Sequence, residues 1–181
     1  MSKYIRVSKG FNKQTMIKAE DDLFARINDQ DDFYNSLYYY DQEHYDKFLL
    51  TKSAAGITGL KTNKIIYDFD SKSDIELARK DAVELSDRLV TSGLNESDFR
   101  IYFSGFKGFH IDVRTNQEFT RSEYESILNN TAGDLSTLDK KVTDEQRLFR
   151  TPLTKHKNSG LYKIPLSLNA LKTMSIDDIK E

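Results

Sequence analysis

The sequence predicts an α+β fold in two layers, with helices packed on a mixed sheet, and three observations predict it. Short β-branched and aromatic runs alternate with stretches of helical period along the chain. Two of those runs flank a turn with two glycines, Ser104-Gly105-Phe106-Lys107-Gly108, and read as a hairpin. At 181 residues, with no long linker, internal repeat or low-complexity tract, the chain is the size of one domain.

Residues 20–50 read as helix, acidic in the first half and carrying the stretch Phe33-Tyr34-Asn35-Ser36-Leu37-Tyr38-Tyr39-Tyr40. Those rings suit a stacking platform for bases or, more commonly, core packing. Lys64 to Asp70 reads as a strand, because β-branched and aromatic residues precede a polar break. A helix follows. Ser73 and Glu76 have capping-box spacing, Leu77, Ala78, Ala82, Leu85 and Leu89 fall on one face, and the helix ends near Gly93. Arg100 to Phe103 and Phe109 to Val113 are the hairpin strands. Residues 120–130 are helical, opening at Thr120 or Ser122, and a basic segment, a short strand from Leu161 to Pro165 and helical turns complete the chain.

Composition excludes several classes. There is no cysteine, so disulfides, thiolate zinc sites and cysteine nucleophiles are ruled out. No apolar run is long enough for a membrane span, and the first residues lack a signal-peptide core, which fits a cytoplasmic protein. The net charge of -2 argues against binding nucleic acid through bulk positive charge. It is unevenly spread, however. Residues 20–46 hold nine acids and one arginine, whereas residues 139–163 hold seven Lys/Arg and three acids, so one region can meet phosphate while the other avoids it.

Three segments carry chemistry. Asp68 and Asp70 stand two apart on a strand, so alternation sends both carboxylates to one face. Two hard oxygen donors there make half of a Mg²⁺ or Mn²⁺ site, and they also suit a turn or a helix N-cap. The turn from Ser104 through Gly105, Lys107, Gly108 and His110 offers backbone N–H groups, a hydroxyl, an ammonium and an imidazole, a donor set fit for a triphosphate or simply a solvated hairpin. The third runs from Leu138-Asp139 to Pro165 and includes Arg147, Arg150 and His156. Arginine suits phosphate because its planar fork donates two parallel hydrogen bonds; the plainer reading is a basic surface loop.

In order, these segments resemble the three motifs of the archaeo-eukaryotic primase superfamily: a strand ending D-x-D, then S-G-x-x-G-x-H, then an apolar residue plus Asp before a basic stretch. The third motif is most similar to that of the replicative primase small subunit, continuing as Arg150-Thr151-Pro152-Leu153-Thr154-Lys155-His156 with Gly160 and Pro165 in step. The spacing of Arg147 and Arg150 also resembles that in primase–polymerases of viruses, plasmids and other mobile elements.

The resemblance implies a catalytic core with an RRM-like half and flanking helices. Residues 62–168 would bear the motifs, residues 1–60 would form a helical arm packed on them, and 1–181 would be one domain. It further implies that Asp68, Asp70 and Asp139 hold two Mg²⁺ or Mn²⁺ ions, with no zinc. Ser104, Gly105, Lys107, Gly108, His110, Arg147, Arg150 and His156 would bind the nucleotide, an NTP or dNTP. The partners implied are a single-stranded DNA template and a primer, with an accessory helical domain, large subunit or helicase for initiation, and no membrane. A gap-filling repair polymerase of the same superfamily, or an inactive single-strand-binding replication module, are the alternatives.

Overall fold

The computed structural model describes residues 2–10, 13–21 and 32–181. Thirteen elements follow in order: β1 (Tyr4–Lys9), β2 (Lys13–Lys18), β3 (Phe33–Ser36), α1 (Gln42–Thr51), β4 (Thr62–Asp70), α2 (Ile75–Thr91), β5 (Phe99–Phe103), β6 (Gly108–Phe119), α3 (Arg121–Ala132), β7 (Leu148–Arg150), β8 (Ile164–Leu166), α4 (Leu168–Thr173) and α5 (Ile176–Lys180). The strands form two four-stranded sheets, ordered β2-β1-β3-β7 and β4-β6-β5-β8. The α+β class is as expected, but every strand pairing among the described residues is antiparallel, so the sheets are not mixed.

The N-terminal region corrects the sequence reading more strongly. In place of a helical arm, β1, β2 and β3 build most of the first sheet, and helix appears only in α1. Much of the acidic half of the expected helix, residues 22–31, lies outside the described residues. The tyrosine-rich stretch is core packing: Tyr38 and Tyr40 are fully buried, and Phe33, Tyr34 and Leu37 nearly so. Its aromatics cluster without strict alternation, which hid β3 from a period-based reading.

The second sheet follows its local pattern. On β4, Ile65, Tyr67 and Phe69 face the helices, joined there by Ile101, Phe103, Phe109 and Ile111. Against them α2 presents Ala78, Ala82, Leu85 and Leu89, whose small members let the helix approach closely. Leu77, expected on that stripe, is 43% exposed because it sits one residue out of phase. The cap of α2 is Asp74, whose side chain accepts from Glu76 N, rather than Ser73. At the other end Gly93, with φ of +102°, closes the helix: its N–H donates to Val90 O and that of Leu94 to Leu89 O. The Thr120 cap of α3 is as expected and forms a capping box with Glu123. The elements β4, α2, β5, β6 and α3 run in the order of a split β-α-β motif, and the place of its fourth strand is reduced to one bridge between Phe69 and Leu138.

Beyond that bridge the outer edge of β4 is closed by a side chain. The buried Tyr124 hydroxyl accepts from Ile66 N at 2.9 Å and donates to Ile66 O at 2.5 Å. Burial also raises its pKa well above the usual tyrosine value. Tyr124→Phe keeps the ring but strands both backbone groups in the core, a loss of about 1–3 kcal/mol. For a domain of this size the melting temperature should fall by roughly 2–10 °C, and thermal denaturation followed by circular dichroism would measure it.

Candidate active site

The face of β4 turned away from the helices carries Asp68 and Asp70, as alternation requires. In front of them lies a cavity of ≈ 740 Å³, which Asp68, Asp70, Ser104, Lys107, His110, Arg147, Arg150 and His156 line. Asp139 arrives through the main chain. Asp70 N donates to Thr137 O at 2.9 Å and Asp139 N to Asp68 O at 2.8 Å, which fixes the third acid beside the first.

Three carboxylates so close require counter-charge, and two cations supply it. Arg147 Nη2 donates to Asp68 Oδ2 at 2.7 Å, and its Nη1 donates to Asp139 Oδ2 at 2.5 Å. Lys107 Nζ pairs with Asp70 Oδ2 at 2.9 Å. Burial pushes the Asp68 carboxyl up, but His110, Arg147 and Lys163 outweigh it and hold it below the usual carboxylate range. Burial likewise opposes charge on Arg147, and Asp68 and Asp139 overcome that opposition.

The hairpin turn is held by its own bonds. Ser104 N donates to Gly108 O at 2.9 Å, and Gly108 N donates to the Ser104 hydroxyl at 3.2 Å. That hydroxyl and that N–H thus close the turn. Gly108 is required by proximity: a Cβ there would lie 1.8 Å from Phe69 O and 2.6 Å from Asp70 Oδ1. The absent side chain lets β6 lie close against the acidic end of β4.

His110 stands opposite Asp68 in the register. Because Asp68 and Asp70 direct backbone groups toward Thr137 and Asp139, Asp68 and His110 form the closely spaced kind of antiparallel pair. Lys163 Nζ lies 2.9 Å from His110 Nδ1 and 3.2 Å from Arg150 O. With the ammonium donating, the His110 proton sits on Nε2, which faces Asp68 Oδ1 at 3.3 Å. Lys163 is 1% exposed, and burial holds its pKa below the usual lysine range. The chain delivers it by a hairpin: Leu153 N donates to Lys163 O, Lys163 N to Thr154 O, and His156 N to Leu161 O. Within this hairpin His156 Nδ1 accepts from Asn158 N and Ser159 N, which leaves the Nε2 proton for the cavity, while its ring stacks on Phe106 with centroids 4.8 Å apart. Arg150 lies over the Tyr34 ring and donates to Asp32 Oδ1 at 3.3 Å.

No protein-family model matches the sequence, and no curated protein matches it. Solved structures do. The polymerase domain of Ligase D from Mycobacterium tuberculosis, in complex with DNA, is 12% identical, with a TM-score of 0.55 over 96% of this chain and 68% of that one. The AEP domain of the primase-polymerase of cyanophage S-2L is 14% identical, with a TM-score of 0.51 over 91% and 80% of the two chains. The chain shares the fold of these two polymerase domains.

In this fold the sequence-predicted residues converge, with distinctions. Asp68, Asp70, Ser104, Lys107, His110, Arg147, Arg150 and His156 line one cavity. Asp139 joins it through Arg147, and Gly105 and Gly108 shape the turn. Lys163 was missed by sequence reasoning, and its signal was a charged residue inside the apolar run Leu161-Tyr162-Lys163-Ile164-Pro165.

Among the described residues, no group of three or more His, Asp or Glu is gathered closely enough to hold a metal ion. The donor chemistry nevertheless fits Mg²⁺ or Mn²⁺, being carboxylate oxygen, and Asp68 Oδ1 is buried without an aligned hydrogen-bond partner. Ligation would require Arg147 and Lys107 to release the acids. No described helix is long and apolar enough to cross a membrane.

Gly108→Ala forces the Phe69 carbonyl and Asp70 aside. It should destabilise the protein by about 3 kcal/mol or more, read as a lowered denaturant midpoint; an unchanged midpoint would contradict the close approach of β4 and β6.

Proposed function

We propose that this chain is the catalytic core of a primase–polymerase, adding nucleotides to a primer along a DNA template. The observation that carries the reading is the main-chain pairing that sets Asp139 beside Asp68, an acid that lines a cavity together with Asp70, Lys107, Arg147, Arg150 and His156. The shared fold supports it, and the Ligase D polymerase domain is itself in complex with DNA. A nucleic-acid-binding module has no use for a carboxylate trio that repels phosphate.

In this reading Asp68, Asp70 and Asp139 would hold two Mg²⁺ or Mn²⁺ ions, whose chemistry when bound is to acidify a primer 3′-hydroxyl and neutralise phosphate. Arg147 and Lys107 turn from the carboxylates to the triphosphate of an NTP or dNTP, so that each cation exchanges one anionic partner for another. Arg150 and the Nε2 proton of His156 approach the same phosphates. His110, oriented by Lys163, turns its Nε2 toward Asp68 Oδ1. Charge developing on the transferred phosphoryl group thus meets cationic and N–H donors once the metals have taken the carboxylates. Initiation without a primer would call on an accessory helical domain, a large subunit or a helicase.

Asp68→Ala, Asp70→Ala and Asp139→Ala should each lower Mn²⁺- or Mg²⁺-dependent primer extension by more than about a hundredfold. A template-primer assay with labelled nucleotides measures this. Extension at the wild-type rate by a variant lacking all three acids would sink the proposal.

A further inference from the structure

The open face of the second sheet continues past His110 to the other end of its strands. There Lys64, Arg100 and Arg114 line a second cavity of ≈ 530 Å³, within the size range of small-ligand sites. The register sets Lys64 directly opposite Arg114, and Arg100 directly opposite Asp112. Ile66 turns its backbone groups to Tyr124, away from β6, so Lys64 and Arg114 form a closely spaced pair in which like charges destabilise a sheet. The usual remedy would be ion pairing, yet the side chains of Lys64, Arg100 and Arg114 form no ion pair or hydrogen bond among the described residues. Burial holds Lys64 below the usual lysine range, so its charge is poorly hydrated as well.

Two more features define what would fit. Asp112 Oδ1 is buried with no hydrogen-bond partner, an acceptor awaiting a donor. Tyr102 adds an aromatic wall, with Lys163 Nζ held 4.7 Å from its ring centroid. This cavity also adjoins the candidate active site, because Phe149 and Arg150 line both. Cationic side chains without partners beside a buried acceptor describe a ligand whose phosphate stands next to a hydroxyl or N–H group.

We propose that the second cavity binds a nucleotide unit next to the transfer site, its phosphate on Lys64, Arg100 and Arg114 and a sugar hydroxyl or base N–H donated to Asp112 Oδ1. The choice of a nucleotide among phosphate-bearing ligands rests on the transfer reading above. The unit is either a free nucleoside triphosphate or one residue of a bound strand, and the two sources share this chemistry.

Arg100 and Arg114 are exposed and contact none of the candidate catalytic residues, so the double variant Arg100→Gln/Arg114→Gln should fold normally, as a melting curve would verify. Equilibrium dialysis with a labelled nucleoside triphosphate and fluorescence anisotropy with a labelled single-stranded oligonucleotide separate the sources. For a free triphosphate, bound nucleotides per chain fall from two to one. For a strand, affinity falls about tenfold and the slope of log affinity against log salt becomes shallower by about 0.7, the value for one lost phosphate contact. Removing two charges elsewhere, by Lys47→Gln/Lys80→Gln, should leave stoichiometry unchanged and affinity nearly so. Unchanged binding of both probes by the Arg100/Arg114 variant, or an equal loss in the Lys47/Lys80 variant, overturns the proposal. Primer extension by the wild-type chain is scored separately: binding without extension would defeat the transfer reading and leave the second site standing.

Discussion

Arg147 is the contact on which the rest of the candidate site depends. Asp68 and Asp139 are held side by side by a main-chain hydrogen bond and cannot separate to relieve their repulsion. A cation must lie between them, and Arg147 bonds one oxygen of each. Because Arg147 immediately precedes β7, the same guanidinium ties the first sheet to the acidic edge of the second. Removing one partner of a fully buried ion pair typically costs about 3–5 kcal/mol, and solvent at the partly exposed Arg147 and Asp139 brings the cost here below that range. The contact is therefore structural in the metal-free protein, and the same arginine is ready to serve phosphate once the acids find other cations.

A second consequence concerns orientation. His110 is set by groups on both sides, Lys163 at Nδ1 and Asp68 facing Nε2, so its tautomer does not depend on solvent. Lys163 in turn is held by the Arg150 carbonyl, and the hairpin from Leu153 to Lys163 brings it there. Leu153 adopts a left-handed φ of +63° at the start of this hairpin, a conformation that L-residues with side chains rarely take. That local strain is sustained by the backbone bonds between Leu153–Thr154 and Lys163. Pro165 follows on β8 at the sheet edge, where the missing N–H disrupts no ladder.

The second sheet divides its two faces by purpose. One is an apolar layer of Ile65, Tyr67, Phe69, Phe109 and Ile111 under α2 and α3. The other bears charge along its length, acidic at one end and basic at the other. Strand alternation suffices to produce both, because each odd position of β4 can be apolar while each even position stays free for chemistry.

Local pattern was enough to read β4, α2, the β5–β6 hairpin and α3, because each has an unambiguous period and turn or cap residues at its ends. It was also enough to name Asp68, Asp70 and His110, whose spacing fixes their face and position on adjacent strands. Three things were left to tertiary structure. The strands β1, β2 and β3 belong to a sheet whose further member is β7, more than a hundred residues later, and no local period encodes that partner. Asp139 becomes a neighbour of Asp68 only through the Phe69–Leu138 bridge. Arg147, expected from the resemblance to bind nucleotide, and Lys163, not singled out at all, are held by carboxylate and imidazole partners distant in the chain. Sequence by itself determined which side chains alternate and where turns fall, since those follow from the backbone geometry of neighbouring residues. Which charges face one another was decided only when distant segments packed, because Coulomb energy depends on separation in space and on burial, and neither is a property of position along the chain.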